Sequence, residues 1–223
     1  MNAPTMSPMN PPTNPAVKPL LITDCDEVLL HMARHFGAWL GEVHDIDFNL
    51  AHHDMATSMK RRDGTALARE EMWTYLAGFF PAEMGRQTLV PYAAESIAAL
   101  AQIADIVVLT NLQDHCRPAR TAQLESFGIV HRVETNQGGK GARVAAIAAE
   151  YGNPVAVFVD DLAVHLQSCA EHAPHVHRLH MVSEPQLAPN VPPAPAAHAR
   201  IDDWREAKDW IAARFAAGVP ANA

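Results

Sequence analysis

Short apolar, β-branched runs alternate with amphipathic helical stretches along most of this chain, and that alternation restricts the fold more than any other feature. Leu20-Leu21-Ile22-Thr23, the Ile-Val-Val-Leu run within Ile103–Leu109, and Pro154–Val159 are continuously apolar, as strands buried on both faces are. Helix-patterned stretches separate them: Tyr92–Ala101, Arg117–Phe127 stopped at Gly128, Gly141–Tyr151 stopped at Gly152, Ala163–Ala173, and a last amphipathic segment over Asp203–Phe215. Val130–Val133 and Val176–Met181 read as further short strands. Strands that alternate with helices imply right-handed crossovers and a mainly parallel sheet. The predicted fold class is α/β, a doubly wound, mainly parallel, Rossmann-like sheet.

One stretch breaks the pattern. Leu29–Leu40 and Ala66–Phe80 carry helical spacing, with Pro81 and Gly85 expected at the end of the second helix. Residues 41–65 between them are polar and contain no strong strand. The expected organisation is a disordered tail over 1–18, a core built from 19–29 and 89–216, a small α-helical cap over 30–88, and a flexible end over 217–223. Trp73, Tyr75 and Phe79 are expected to pack the cap, and Leu30 and Leu89 to mark its hinge.

Charge and cysteine content narrow the function classes. The net charge of −8, from 25 acidic and 17 basic residues, argues against a nucleic-acid partner. It permits a small phosphorylated ligand, which needs only a local cluster of donors or a metal. Cys25, Cys116 and Cys169 are scattered and odd in number, as free thiols in a reducing compartment are. The apolar runs fall short of a membrane span, and the first 18 residues lack a secretory or transit signature. The expected location is cytoplasmic, with no membrane partner.

Polar residues cluster at the C-terminal ends of the strands. Asp24 and Asp26 follow the first, Thr110-Asn111 the second, and Asp160-Asp161 the third. Extended backbone sends side chains two residues apart to the same side, so Asp24 and Asp26 point together and Cys25 points away. Lys140 opens a helix after Gly138-Gly139. Read singly, Thr110-Asn111 and Asp160-Asp161 are helix caps, and Lys140 is a solvated lysine. If the three strands are parallel neighbours, all these groups open on one crevice. Carboxylates, a hydroxyl, an amide and a lysine gathered there suit a hard cation and a phosphoryl group.

In this order the motifs resemble those of the haloacid dehalogenase (HAD) superfamily, mostly phosphatases and phosphotransferases. The resemblance rests on Asp24-Cys25-Asp26, on Thr110, on Lys140 and on Asp160-Asp161, and it spans roughly residues 19–215. It implies a Mg²⁺-dependent phosphatase that hydrolyses a small phosphorylated metabolite through an aspartyl-phosphate. Asp24 would be the nucleophile and Asp26 the general acid and base. Thr110, Asn111 and Lys140 would bind the transferred phosphoryl group. Mg²⁺ would be held by Asp24, the Asp26 backbone carbonyl, Asp160 and, through water, Asp161. The resemblance equally admits a phosphotransferase or mutase on the same site, or a non-catalytic binding protein of the same fold. The second Asp disfavours carbon–halogen cleavage, because halide leaves without a proton. The chain departs from the pattern at Glu27-Val28, where the family's phosphatases commonly place Gly-Thr or Gly-Val.

Other clusters are less directive. His172, His175, His177 and His180 crowd together without a Cys or acidic partner at familiar zinc spacing, and read as an exposed or edge-strand group. His52-His53-Asp54 and Lys60-Arg61-Arg62 lie in the cap, where they could meet substrate.

Overall fold

The structure, a computed structural model, describes residues 17–51 and 58–221. The expected N-terminal tail and the His52-His53-Asp54 cluster lie, almost entirely or entirely, outside the described residues. A six-stranded parallel sheet forms the core, from β1 (Leu20–Thr23), β6 (Asp105–Thr110), β7 (Arg132–Thr135), β8 (Ala156–Asp160), β9 (His177–His180) and β10 (Ala199–Arg200). Its order is β10-β9-β8-β1-β6-β7. From β1 the chain runs outward through β6 to β7, then returns to lay β8 on the other side of β1. The topological switch, where such sheets bind ligands, therefore falls at β1 and β8.

The alternation inside each strand explains the two helical layers. Leu21, Ile106, Val108, Val157 and Val159 point to one face. There they meet Ile97 and Leu100 of α3 (Ala93–Ala101), Leu124 of α4 (Arg117–Ser126) and Trp204, Ile211 and Phe215 of α7 (Trp204–Ala217). Leu20, Ile22, Val107, Leu109 and Phe158 point the other way. They pack on Val144 and Ile147 of α5 (Gly141–Glu150) and on Leu166 and Cys169 of α6 (Ala163–His172). Burial on both faces is why these strands read as unbroken apolar runs.

The inserted segment is entered and left through β2 (Leu30–His31) and β5 (Thr88–Leu89), which pair antiparallel, Leu30 opposite Leu89. Inside it, α1 (Ala33–His44) and α2 (Arg69–Glu83) enclose their own apolar cluster, with Phe36 and Phe79 stacked edge-on at 5.3 Å. Three expectations change here. The first helix starts at Ala33, since Leu30–His31 is strand. Pro81 lies within α2. And the segment is not wholly helical: β3 (Ile46–Phe48) pairs antiparallel with β4 (Met59–Arg61). Of the three aromatics expected inside, Phe79 is buried but Trp73 is 59% exposed. Met72 and Phe79, seven apart, define the inward stripe of α2, and Trp73 sits a helical step off it.

Elsewhere, β7 begins two residues later than the sequence pattern suggests. The histidines of β9 are buried, not exposed, and β10 covers the edge they were expected to occupy. Val219 and Ala221, within the end expected to be flexible, are fastened: the Ala221 N–H donates to the His175 carbonyl, 3.0 Å, and His177 Nε2 lies 2.9 Å from the Val219 carbonyl.

Candidate active site

Register brings the strand ends level. Thr23 lies opposite Val108 of β6 and Val159 of β8, so Asp24 emerges beside Asp160, and its N–H donates to the Val159 carbonyl at 2.8 Å. Level residues of parallel neighbours point the same way, and the carboxylates of Asp24, Asp160 and Asp161 converge within 4.8 Å of one another. The buried Lys140 ammonium sits among them, donating to Asp24 Oδ1 at 2.6 Å and to Asp160 Oδ2 at 2.7 Å.

Lys140 is delivered there by close helix packing. It caps α5 between Gly139 and Gly141, and the Gly141 N–H donates to Ser168 Oγ of α6 at 3.0 Å. A Cβ on Gly141 would lie 1.9 Å from the Ser168 carbonyl oxygen, so only glycine lets the two helices approach this far. Asn111, expected to bind substrate, has both ends of its amide committed to the loop before Lys140. Its Nδ2 donates to the Gly138 carbonyl at 2.9 Å and its Oδ1 accepts from Asn136 at 2.9 Å.

The charges are unbalanced. Burial pushes Asp24 up to about 6; Lys140 pulls it down, and Asp160 and Asp26 push it up. Burial also raises Asp160, and raises Asp161 well above the usual carboxylate range with help from Asp160 and Asp24. Burial opposes the Lys140 charge, but Asp160 and Asp24 more than offset it and hold the ammonium above the ordinary lysine range. Three acids face one ammonium. An all-oxygen set with excess negative charge fits a hard divalent cation such as Mg²⁺, for which Asp24, Asp160 and Asp161 are the available side-chain ligands.

Asp26 stands apart from Lys140, held by Arg120 and Gln87, which sequence reading missed, and approached by Thr110. Arg120, fully buried on α4, donates through Nη2 to both oxygens of Asp26, at 2.9 and 3.1 Å. Gln87 Nε2 donates to Asp26 Oδ1 at 2.6 Å, and Thr110 Oγ1 approaches Oδ2 at 3.4 Å. Arg120 Nη1 also reaches Cys25 Sγ at 3.3 Å. One signal was available: Arg120 precedes Leu124 by four residues and so falls on the apolar face of its helix. His165, another omission, is buried on the first turn of α6 with Nε2 3.2 Å from Asn111 Nδ2, and burial with Lys140 nearby pulls its pKa down to about 4.

Glu27 resolves the departure noted at the turn. Its φ is 61°, a region that favours glycine. Its buried carboxylate compensates locally: Oε1 accepts from the Met32 and Ala33 N–H groups at the start of α1, 2.7 and 2.5 Å away. Burial pushes Glu27 up to about 7, against the pull of those two bonds. Lys60 is exposed, while Arg61 and Arg62 pair with Glu71 and Asp45 within the inserted segment.

No protein-family model matches the chain, and no curated protein matches it by sequence. Solved structures do. A haloacid dehalogenase-like family hydrolase from Streptococcus pneumoniae superposes with a TM-score of 0.60 at 11% identity, over 86% of this chain and 97% of that one. A predicted phosphoglycolate phosphatase from Haemophilus somnus gives 0.59 at 16%, over 86% and 96%. A HAD-superfamily hydrolase of subfamily IA from Geobacter sulfurreducens gives 0.54 at 18%, over 89% and 99%. The chain thus shares the fold of these neighbours over nearly their whole length. Among the described residues no helix is long and apolar enough to cross a membrane.

Proposed function

We propose that this protein is a Mg²⁺-dependent phosphatase acting on a small phosphorylated metabolite. The observation that carries the reading is the joint placement of Asp24, Asp160, Asp161 and Lys140 at one switch point, with a second carboxylate, Asp26, two residues beyond the first. Asp24 is the nucleophile: its carboxylate oxygen attacks phosphorus in line, the ester P–O bond breaks, and an aspartyl-phosphate forms. Lys140 and Thr110 carry the phosphoryl oxygens. Bound Mg²⁺ would supply charge neutralisation between a carboxylate and an anionic phosphate.

Asp26 gives a proton to the departing alkoxide and takes one from the water that releases phosphate. Arg120 and Gln87 orient it for both tasks, which makes them positioning residues. Lys140 pulls the Asp24 pKa down against burial, favouring the nucleophilic form. The phosphatase named among the structural neighbours is consistent with this chemistry.

The test is phosphate release from a panel of phosphorylated metabolites and p-nitrophenyl phosphate, with and without Mg²⁺, beside Asp24→Asn. Mg²⁺-dependent turnover lost in the variant is the expected result. Release that survives in Asp24→Asn overturns the reading. Transfer to an added sugar hydroxyl without phosphate release makes the enzyme a phosphotransferase.

A further inference from the structure

A second set of metal-ligating side chains lies at the root of the inserted segment. Glu27, His31 and Glu184 are each at least 96% buried, with relative exposures of 2, 4 and 1%. They come from three separate pieces of chain: the turn after β1, strand β2, and the loop after β9. Their ligand atoms lie within 4.8 Å of one another, and His31 Nδ1 is 3.7 Å from Glu184 Oε2.

Two of these atoms have no hydrogen-bond partner. Glu27 Oε2 and His31 Nδ1 are buried polar atoms without a hydrogen bond. A buried carboxylate oxygen or imidazole nitrogen left so is costly, and such groups in native proteins usually have an ion, a water or a proton to meet. The other atoms of the set are committed. Glu27 Oε1 accepts the two N–H bonds from the start of α1. Glu184 Oε2 accepts from Arg34 Nε at 2.6 Å, and its Oε1 from the Gln186 N–H at 3.2 Å. The two loops are clamped together besides, since Ser183 donates to the Glu27 carbonyl through N–H and Oγ at 3.0 and 2.6 Å. Glu27 is thus held in place by bonds that leave its Oε2 free, as a ligand with an outer shell is, and His31 is carried on β2, which pairs with β5.

We propose that Glu27, His31 and Glu184 form a binding site for a divalent transition-metal ion, separate from the Asp24 cluster, that ties the root of the inserted segment to the core. The donor chemistry sets the class. One imidazole with two carboxylates suits Zn²⁺ and its neighbours, whereas the all-oxygen Asp24 set suits Mg²⁺. With Glu27 ionised, two carboxylates face one guanidinium, Arg34, a net negative charge for the ion to offset.

The experiment is a calorimetric Zn²⁺ titration of the full chain carrying Asp24→Asn, with Mg²⁺ in excess, followed by the same protein carrying His31→Gln or Glu184→Gln in addition. The expected result is one Zn²⁺ per chain, bound at least tenfold more weakly by each added variant. Zinc X-ray absorption on the unaltered chain loaded with one equivalent in excess Mg²⁺ needs no variant to fold. It should report one imidazole in an otherwise oxygen shell. No Zn²⁺ bound under Mg²⁺, an affinity unmoved by His31→Gln in folded protein, or a shell without one imidazole and oxygen overturns the proposal. Phosphate release plays no part in either readout, so the outcome is independent of the phosphatase reading.

Discussion

Gly141→Ala inverts the usual rule for glycine in a helix. By helix propensity alone the change stabilises by up to about 1 kcal/mol. The structure gives the opposite sign. The added Cβ lies 1.9 Å from the Ser168 carbonyl oxygen and 2.3 Å from its carbonyl carbon. A saturated carbon ordinarily stops about 3.3 Å from such an oxygen, so α5 and α6 must part by about 1.4 Å. The obstacle is backbone, which no rotamer change relieves. Overpacking of this kind costs about 3 kcal/mol, the upper part of its usual range. For a chain of this size that lowers Tm by roughly 6–12 °C. Lys140, one residue away, moves with the helix start, and a displacement of about 1 Å at a reacting group costs on the order of a hundredfold in kcat/KM. Thermal denaturation and steady-state kinetics read both numbers. The neighbour gives an internal control. A Cβ on Gly139 meets the Ser168 hydroxyl at 2.7 Å, so Ser168→Ala should rescue Gly139→Ala but not Gly141→Ala. A Gly141→Ala protein with unchanged or raised Tm refutes the reasoning.

Three other perturbations have definite signs. Arg120→Met leaves the Asp26 carboxylate without its cationic partner and should cost about 2–4 kcal/mol in urea unfolding; Asp26→Asn in the same protein should recover part of it, so the two losses are not additive. At the strained turn, Glu27→Ala loses the bonds to α1 and keeps the φ of 61°, whereas Glu27→Gly loses the same bonds and relieves the backbone. The alanine variant should therefore unfold at lower urea, by about 1 kcal/mol. For pH, the folded pKa of His165 is pulled down from 6.5 to about 4, so the unfolded chain binds the proton first. Its contribution is present above pH 6.5 and lost as pH falls toward 4, by up to about 3 kcal/mol. Asp24, pushed up to about 6, acts in the opposite sense, so the difference between unaltered protein and His165→Gln in EDTA carries the test: the variant's stability should fall less between pH 6.5 and 4.

Strand positions were legible because both faces of the sheet are buried, which leaves runs such as Val107-Val108-Leu109 with no polar break. Site residues were legible for a related reason. Asp24, Thr110 and Asp160 sit at strand ends, where a polar residue after an apolar run stands out, and Lys140 is flagged by the glycines around it. What escaped were contacts across the chain. Arg120 and Asp26 are 94 residues apart and Ser183 and Glu27 are 156 apart, and no local pattern encodes such pairs. The strand pair β3 and β4 escaped because three-residue strands carry too little periodicity to register. Trp73 departs from its expected packing because the inward stripe of its helix belongs to Met72 and Phe79, and size alone does not turn an aromatic inward. Asn111 follows the strand end as expected, and its amide also ties down the loop that delivers Lys140, a contact across the chain that the sequence does not encode.

Attack by Asp24 is the step on which the functional account stands, and it leaves a chemical trace. The protein is mixed with a turned-over phosphate ester and Mg²⁺, quenched in acid within a turnover, digested and weighed by mass spectrometry, with Asp26→Asn alongside to slow release of the intermediate. A single hydroxylamine-labile phosphoryl group on Asp24, accumulating in Asp26→Asn and absent from Asp24→Asn, is the predicted result. A phosphoryl group on another residue, or turnover that persists in Asp24→Asn, contradicts it.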